Sequence, residues 1–264
     1  MTSPVLTRES PADPGRVLPS EVCDEVARAL QGPALAVMVY GSQARGSADA
    51  ASDVDVLQVV SHSSGSYKVG RVAVTAYTPA HLHAMAKNGS LFVRHLREEG
   101  VLLFDNGEVL ARALAAYERP HNYVSLIAEL RAAAEALAVG CSEFEQYQQA
   151  MGRLGIYLLR SALYVEAETS GSPTFDVDLA AKALGYHSLG EVLALRRSVL
   201  LSPEDARRIR SAVLSHFSIT VHETSLANLA VKWARTRPHA SALIAQVLSS
   251  ADELDYAGLP LPPL

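Results

Sequence analysis

Two rhythms of apolar and polar positions divide this chain. Up to about residue 107, short apolar runs bounded by Gly, Ser and Pro alternate with amphipathic stretches. "PSEVCDEVARAL" places Val22, Val26 and Leu30 on one helical face, with Ser20 as N-cap and Gln31-Gly32-Pro33 as the stop. "ALAVMVY" predicts a buried strand ending at Gly41, and "DVDVLQVV" a second strand that alternates at its start. "SHSSGS" reads as a turn and "YKVGRVAVTAYT" as a third strand or a hairpin. Pro79 opens a helix over "PAHLHAMAKNG", with proline at its favoured first position. A further helix, "LFVRHLREEG", closes on Gly100, and "VLLFD" forms a fourth strand before the Asn106-Gly107 turn.

From Glu108 onward the strand signal stops. Ala and Leu recur at helical spacing and predict helices at about 108–117, 121–139, 143–169, 176–184, 188–197, 203–217, 222–235 and 239–249. Breaks are expected at Pro120, Gly140, Gly171-Ser172-Pro173, Gly185, Pro203 and Pro238. The expected fold class is α+β: a small mixed-sheet domain over 19–107, then an all-α helical bundle over 108–255. Residues 1–18 read as a flexible N-terminal arm and 256–264 as an extended tail.

Composition narrows the function classes. The chain has 264 residues, 49% apolar and 19% charged, which suits a globular protein with a buried core. A formal net charge of −5 argues against a general nucleic-acid coat, while leaving room for a local basic groove. Cys23 and Cys141 have neither metal spacing nor a disulfide framework, so a cytoplasmic, reducing location is expected. The start of the chain lacks the apolar core of a signal peptide, and no apolar run reaches the length of a membrane span. No membrane partner is expected.

The candidate chemistry lies in "VYGSQARGSADAASDVDVLQV", residues 39–59. Strand side chains alternate faces, so Asp53 and Asp55 point the same way while Val54 and Val56 face the core. Two carboxylates that close repel unless a cation lies between them, and hard oxygen ligands suit Mg²⁺ or Mn²⁺. Gly41 and Ser42 stand where the first strand turns into a short helix, where free backbone N–H groups favour an anion such as phosphate.

Taken together, strand, Gly41-Ser42, an Arg-Gly turn and Asp53-x-Asp55 resemble the nucleotidyltransferase superfamily that shares the DNA polymerase β catalytic fold. The likeness is to its minimal bacterial branch, with the pattern G-S-x-A-R-G…S-D-x-D. Gly41, Ser42, Ala44, Arg45, Gly46, Ser52, Asp53 and Asp55 stand at matching positions, and the resemblance covers roughly residues 34–107. It implies that Gly41 and Ser42 hold the β- and γ-phosphates of a nucleoside triphosphate. It also implies that Asp53 and Asp55 are catalytic and bind Mg²⁺ or Mn²⁺. The implied reaction moves a nucleoside monophosphate onto an acceptor hydroxyl and releases pyrophosphate. The acceptor is left open: a small molecule such as an aminoglycoside, a protein side chain or an RNA end. Arg45 either meets phosphate charge or braces its loop, and Ser52, the remaining nucleotide-binding candidate, is weighed as a cap of the turn before the aspartates against a contact to ligand.

One expected feature of the family pattern is missing. A third carboxylate usually stands on the next strand, and "GRVAVTAYT" contains no Asp or Glu; its place falls near Ala73 or Thr75. The alternative is therefore a catalytically weak nucleotide-binding sensor, or an antitoxin-like partner of another protein. Glu143, Glu145, Glu166 and Glu168 are candidates for a donated carboxylate, each weighed against a solvated helix-face charge. Arg153, Tyr157, Arg160 and Tyr164 form one helical stripe, able to line an acceptor site or to be core tyrosines with surface arginines. Arg210 and His216 match a loose ribonuclease spacing, and His95 reads as an ordinary hydrogen-bonded histidine rather than a base. A homodimer and a protein or RNA partner are both compatible with the helical half.

Overall fold

The computed structural model describes residues 17–49, 52–63, 65–198 and 200–249. These fall into two compact units that divide between His121 and Asn122. Most of the expected arm and all of the expected tail lie outside the described residues. Of the arm, Val17 and Leu18 are described: Val17 is exposed, while Leu18 is 3% exposed and packs in the first unit's core, so the arm's last residue belongs to the fold.

The first unit carries β1 (Ala36–Tyr40), β2 (Val54–Val59), β3 (Gly65–Val69), β4 (Val72–Tyr77) and β5 (Val101–Asp105). Its helices are α1 (Ser20–Ala29), α2 (Gly41–Arg45), α3 (Pro79–Lys87), α4 (Leu91–Glu99) and α5 (Val109–Ala115). The strands form one mixed sheet in the order β3-β4-β2-β1-β5. β2 runs parallel to β4 and antiparallel to β1; β5 pairs antiparallel with β1, and β3 with β4. The "YKVGRVAVTAYT" segment is thus a hairpin, turning at Gly70 and Arg71.

Alternation decides what each sheet face does. Val37, Val39, Val54, Val56, Val72 and Val74 share a core with Val22, Cys23 and Val26 of α1. Fully burying such a side chain is worth roughly 1.5–3 kcal/mol, so this face is the anchor. The residues between them, including Tyr40 and Asp55, emerge on the other face.

Two local expectations are corrected here. Ser20 is the first residue of α1 rather than its cap; Pro19 precedes the helix and no side chain caps it. Helix α5 belongs to the sheet-bearing unit, so the expected boundary at 107 moves to 121. Asp105 makes the link, because its carboxylate accepts from the Leu110 and Ala111 N–H groups at 3.1 and 2.9 Å. At α3 the reading of Pro79 as a first helical residue agrees with the structure, and Thr78 Oγ1 accepts from His81 N at 3.2 Å.

Among its described residues the second unit has helices and no strand. It contains α6 (Val124–Ala134), α7 (Cys141–Gln146), α8 (Gln148–Thr169), α9 (Val177–Ala183), α10 (His187–Ala194), α11 (Pro203–His216), α12 (Leu226–Trp233) and α13 (Pro238–Leu248). The single helix expected over 143–169 is broken at Tyr147, whose φ/ψ of −110/24 leaves the helical range. α8 runs through the core, burying Met151, Leu154, Leu158, Leu159 and Leu163. Asp176, Ser202 and Ser225 cap α9, α11 and α12 with side-chain oxygens. No described helix is long and apolar enough to cross a membrane.

Candidate nucleotide and metal site

β1 ends at Tyr40, which pairs in register with Asp55 of β2. The chain then turns at Gly41 with φ +73°, a left-handed conformation that favours glycine. A Cβ at Gly41 would lie 2.5 Å from Asp55 Oδ2. The Asp55 carboxylate therefore rests against a bare Cα. Ser42, half-buried, follows directly, and its carbonyl accepts from Ser47 N at 3.0 Å as α2 closes.

Asp53 stands one residue ahead of β2, exposed, with Oδ2 3.3 Å from Lys68 Nζ of β3. In register, Tyr40 pairs with Asp55, Asp55 with Ala73, and Ala73 with Lys68. Residues paired this way share one face, so these four form a row across four strands. Ala73 stands beside Asp55, where the sequence pattern left room for a third carboxylate. Lys68 was missed by sequence reasoning, although a two-residue turn at Gly70-Arg71 would have placed it opposite Ala73.

Arg71 anchors the approach to the pair. Its guanidinium donates to Glu25 at 2.7 and 3.0 Å and to the Ser52 carbonyl at 3.4 Å. The hydrogen bond from Arg71 holds the Glu25 carboxyl below its usual value. Ser52 also ties back locally, with Oγ donating to Asp49 Oδ1 at 2.8 Å and accepting from Asp49 N at 3.0 Å.

Arg45 braces the loop. Its guanidinium meets Glu99 of α4 at 2.6 Å, and His95 Nε2 lies 2.9 Å from the same carboxylate oxygen. Burial opposes ionisation of Glu99, yet the His95 hydrogen bond and charge, then those of Arg45, hold its carboxyl below the ordinary 4.5. A depressed carboxyl contributes stability that is present above the unfolded value and lost as pH falls through the folded one. Denaturation at about pH 6 and again below about pH 4 is expected to show wild type losing more stability than Glu99→Gln. Equal losses in the two proteins would refute this.

Two carboxylates two residues apart at the start of β2, one of them beside a Cα that a side chain would crowd, are a donor set that could take one hard cation. Among the described residues no group of three or more His, Cys, Asp or Glu is placed to hold a metal. Asp53 and Asp55 are the two carboxylates that could hold a metal here, and Ala73 adds none.

The helical unit places its candidates separately. Tyr157 Oη lies 3.1 Å from Nε2 of buried His239, and Arg153 donates to the Ser198 carbonyl at 2.7 Å. Tyr164 packs edge-on against Phe175, Arg160 is half-buried on α8, and Glu145 is exposed on α7. Glu143 Oε1 accepts from Leu226 N at 3.1 Å, and Glu166 lies 3.0 Å from His216 Nε2. Glu168 is 5% exposed, so packing has taken it out of solvent, contrary to the reading of a solvated charge. Arg210 donates to the Leu137 and Val139 carbonyls while His216 meets Glu166, so the ribonuclease-like spacing has each member engaged elsewhere.

No protein-family model and no curated protein matches the chain. Among solved structures, a nucleotidyltransferase-like protein from Exiguobacterium sibiricum is similar over 75% of this chain and 72% of that one. The two are 16% identical with a TM-score of 0.28, so the site's own residues must carry the function.

Proposed function

We propose that the sheet-bearing unit is a Mg²⁺- or Mn²⁺-dependent nucleotidyltransferase acting on a nucleoside triphosphate. It transfers the nucleoside monophosphate to an acceptor hydroxyl and releases pyrophosphate. The observation that carries this reading is the Asp55 carboxylate lying against the bare Cα of Gly41, with Asp53 two residues away at the same end of β2. Gly41 and Ser42 bind the β- and γ-phosphates, because glycine lets an anion approach the main chain and the serine adds a hydroxyl donor. Asp53 and Asp55 hold the divalent ion, which when bound neutralises phosphate charge and fixes the direction of displacement.

The remaining residues position this set. Arg45 acts through Glu99 to hold the turn after Ser42, and Arg71 pins the Ser52 carbonyl so that Asp53 enters β2 at a fixed height. Ser52 serves the turn through Asp49. Acceptors in scope are a small molecule such as an aminoglycoside, a protein side chain and an RNA end. A second reading, a triphosphate sensor or antitoxin-like partner with little turnover, draws support from Ala73 standing beside Asp55 without a ligand oxygen.

Incubation with each α-labelled triphosphate, Mg²⁺ or Mn²⁺ and pools of the three acceptor classes decides between them. Label transfer is expected, and Asp53→Ala/Asp55→Ala is expected to reduce it roughly a hundred- to thousandfold, the scale of losing a charge-stabilising group. Metal-dependent triphosphate binding without transfer to any acceptor would move the assignment to the sensor. Absence of binding would end both readings.

A further inference from the structure

We propose that Lys68 supplies the second positive charge of this site, so that a triphosphate is held by one divalent ion and one ammonium. The inference rests on the nucleotide reading above and adds a residue and a metal count to it.

Register provides the first argument. Lys68 and Asp55 flank Ala73 in one row, and adjacent strands stand about 4.8 Å apart, so their backbones are roughly 10 Å apart. Ala73 puts only a methyl between them. The lysine stem reaches from β3 to within 3.3 Å of Asp53 Oδ2, placing its ammonium at one of the two carboxylates.

Ligand supply provides the second. A further divalent ion needs oxygen ligands beyond those already engaged by the first. The neighbouring position in the row is Ala73, and no larger acidic or histidine cluster exists among the described residues. Two carboxylates with one divalent ion and one ammonium carry the same net charge as three carboxylates with two divalent ions. The lysine thus restores the charge balance that Ala73 forgoes.

Availability provides the third. Two other cations near the site are committed: Arg71 to Glu25 and the Ser52 carbonyl, Arg45 to Glu99. The Lys68–Asp53 pair is different, with side chains 39% and 51% exposed, and such solvent-facing pairs are weak. Exchange of Asp53 for phosphate oxygens costs little, and an ammonium on a flexible stem binds phosphate as a point charge. The competing description is a solvated lysine on an edge strand, with no ligand to meet.

The test counts metal and measures affinity on the full chain, using Mn²⁺ and a non-hydrolysable adenosine or guanosine triphosphate analogue. Wild type is expected to bind a single Mn²⁺ per bound analogue, read from the free Mn²⁺ electron-spin signal. Lys68→Ala, and Lys68→Gln which keeps most of the stem, are expected to weaken the analogue about tenfold or more with unchanged far-ultraviolet dichroism. Adding Ala73→Asp to Lys68→Ala is expected to admit a second Mn²⁺ and recover affinity. Two Mn²⁺ in wild type, or affinity within about twofold of wild type in both Lys68 variants, overturns the proposal while leaving nucleotide binding intact. No analogue binding by wild type overturns the nucleotide reading itself, and this inference with it.

Discussion

Gly41→Ala is expected to abolish triphosphate binding and to destabilise the sheet-bearing unit by roughly 2–3 kcal/mol. Two costs combine. At φ +73° an L side chain is strained by roughly 1–2 kcal/mol before any contact is considered. The new methyl would then sit 2.5 Å from Asp55 Oδ2, a separation that real Cβ atoms do not tolerate. Something must shift, and the neighbour is the carboxylate assigned to the metal, on a strand paired on both sides. Chemical denaturation gives the stability change, and titration with a triphosphate analogue and Mn²⁺ gives the loss of binding. A variant that matches wild type in both would show that the turn does not hold Asp55 as described.

The second large effect is expected in the helical unit. Gly155 lies in α8 where α11 approaches, and a Cβ there would stand 2.5 Å from Ile209 Cγ2, 3.1 Å from Leu137 Cδ2 and 3.3 Å from Val213 Cγ2. Gly152, one turn earlier, meets the Leu201 side chain in the same way. These two glycines flatten one face of α8, and the close approach they permit offsets the roughly 1 kcal/mol of helix propensity that glycine forfeits. Gly155→Leu places a branched side chain where not even a methyl fits. It is expected to cost about 3 kcal/mol or more, since an interior packed to crystal density has little room to yield. Urea titration checks this, and a midpoint close to that of wild type would refute it.

The sequence made the strands that bury one face readable, because valines at alternate positions leave a period-two signature in β2 and β4. The choice between one strand and a hairpin over "YKVGRVAVTAYT" stayed open for a physical reason. β3 is an edge strand with no buried residue, so no run of apolar side chains marks it. The helix start at Pro79 was legible, with Thr78 capping it, whereas α1 begins at Ser20, the residue expected to cap it. Which unit owns α5 depends on its packing and on the bonds from Asp105, neither of which periodicity encodes.

The site was legible to the same depth. Gly41, Ser42, Asp53 and Asp55 lie within fifteen residues of chain, so strand alternation alone was enough to expect the aspartates on one side. The partner of Arg45 is Glu99, 54 positions on, and no local pattern announces it. Lys68 lies between these cases. Its distance from Asp53 along the chain hides it, yet hairpin register brings it back, and the turn at Gly70-Arg71 was there to be counted.

The position of β3 in the sheet has a consequence for how the molecule behaves in a crowd. An edge strand presents unpaired N–H and C=O groups, the surface on which a strand from another chain adds. β3 offers an incoming strand little: five residues, Gly65 at its start, and an ammonium near its middle that a neighbour would have to desolvate. The side chain proposed to meet phosphate is thus also the charge that guards this edge, so Lys68→Ala would bear on both.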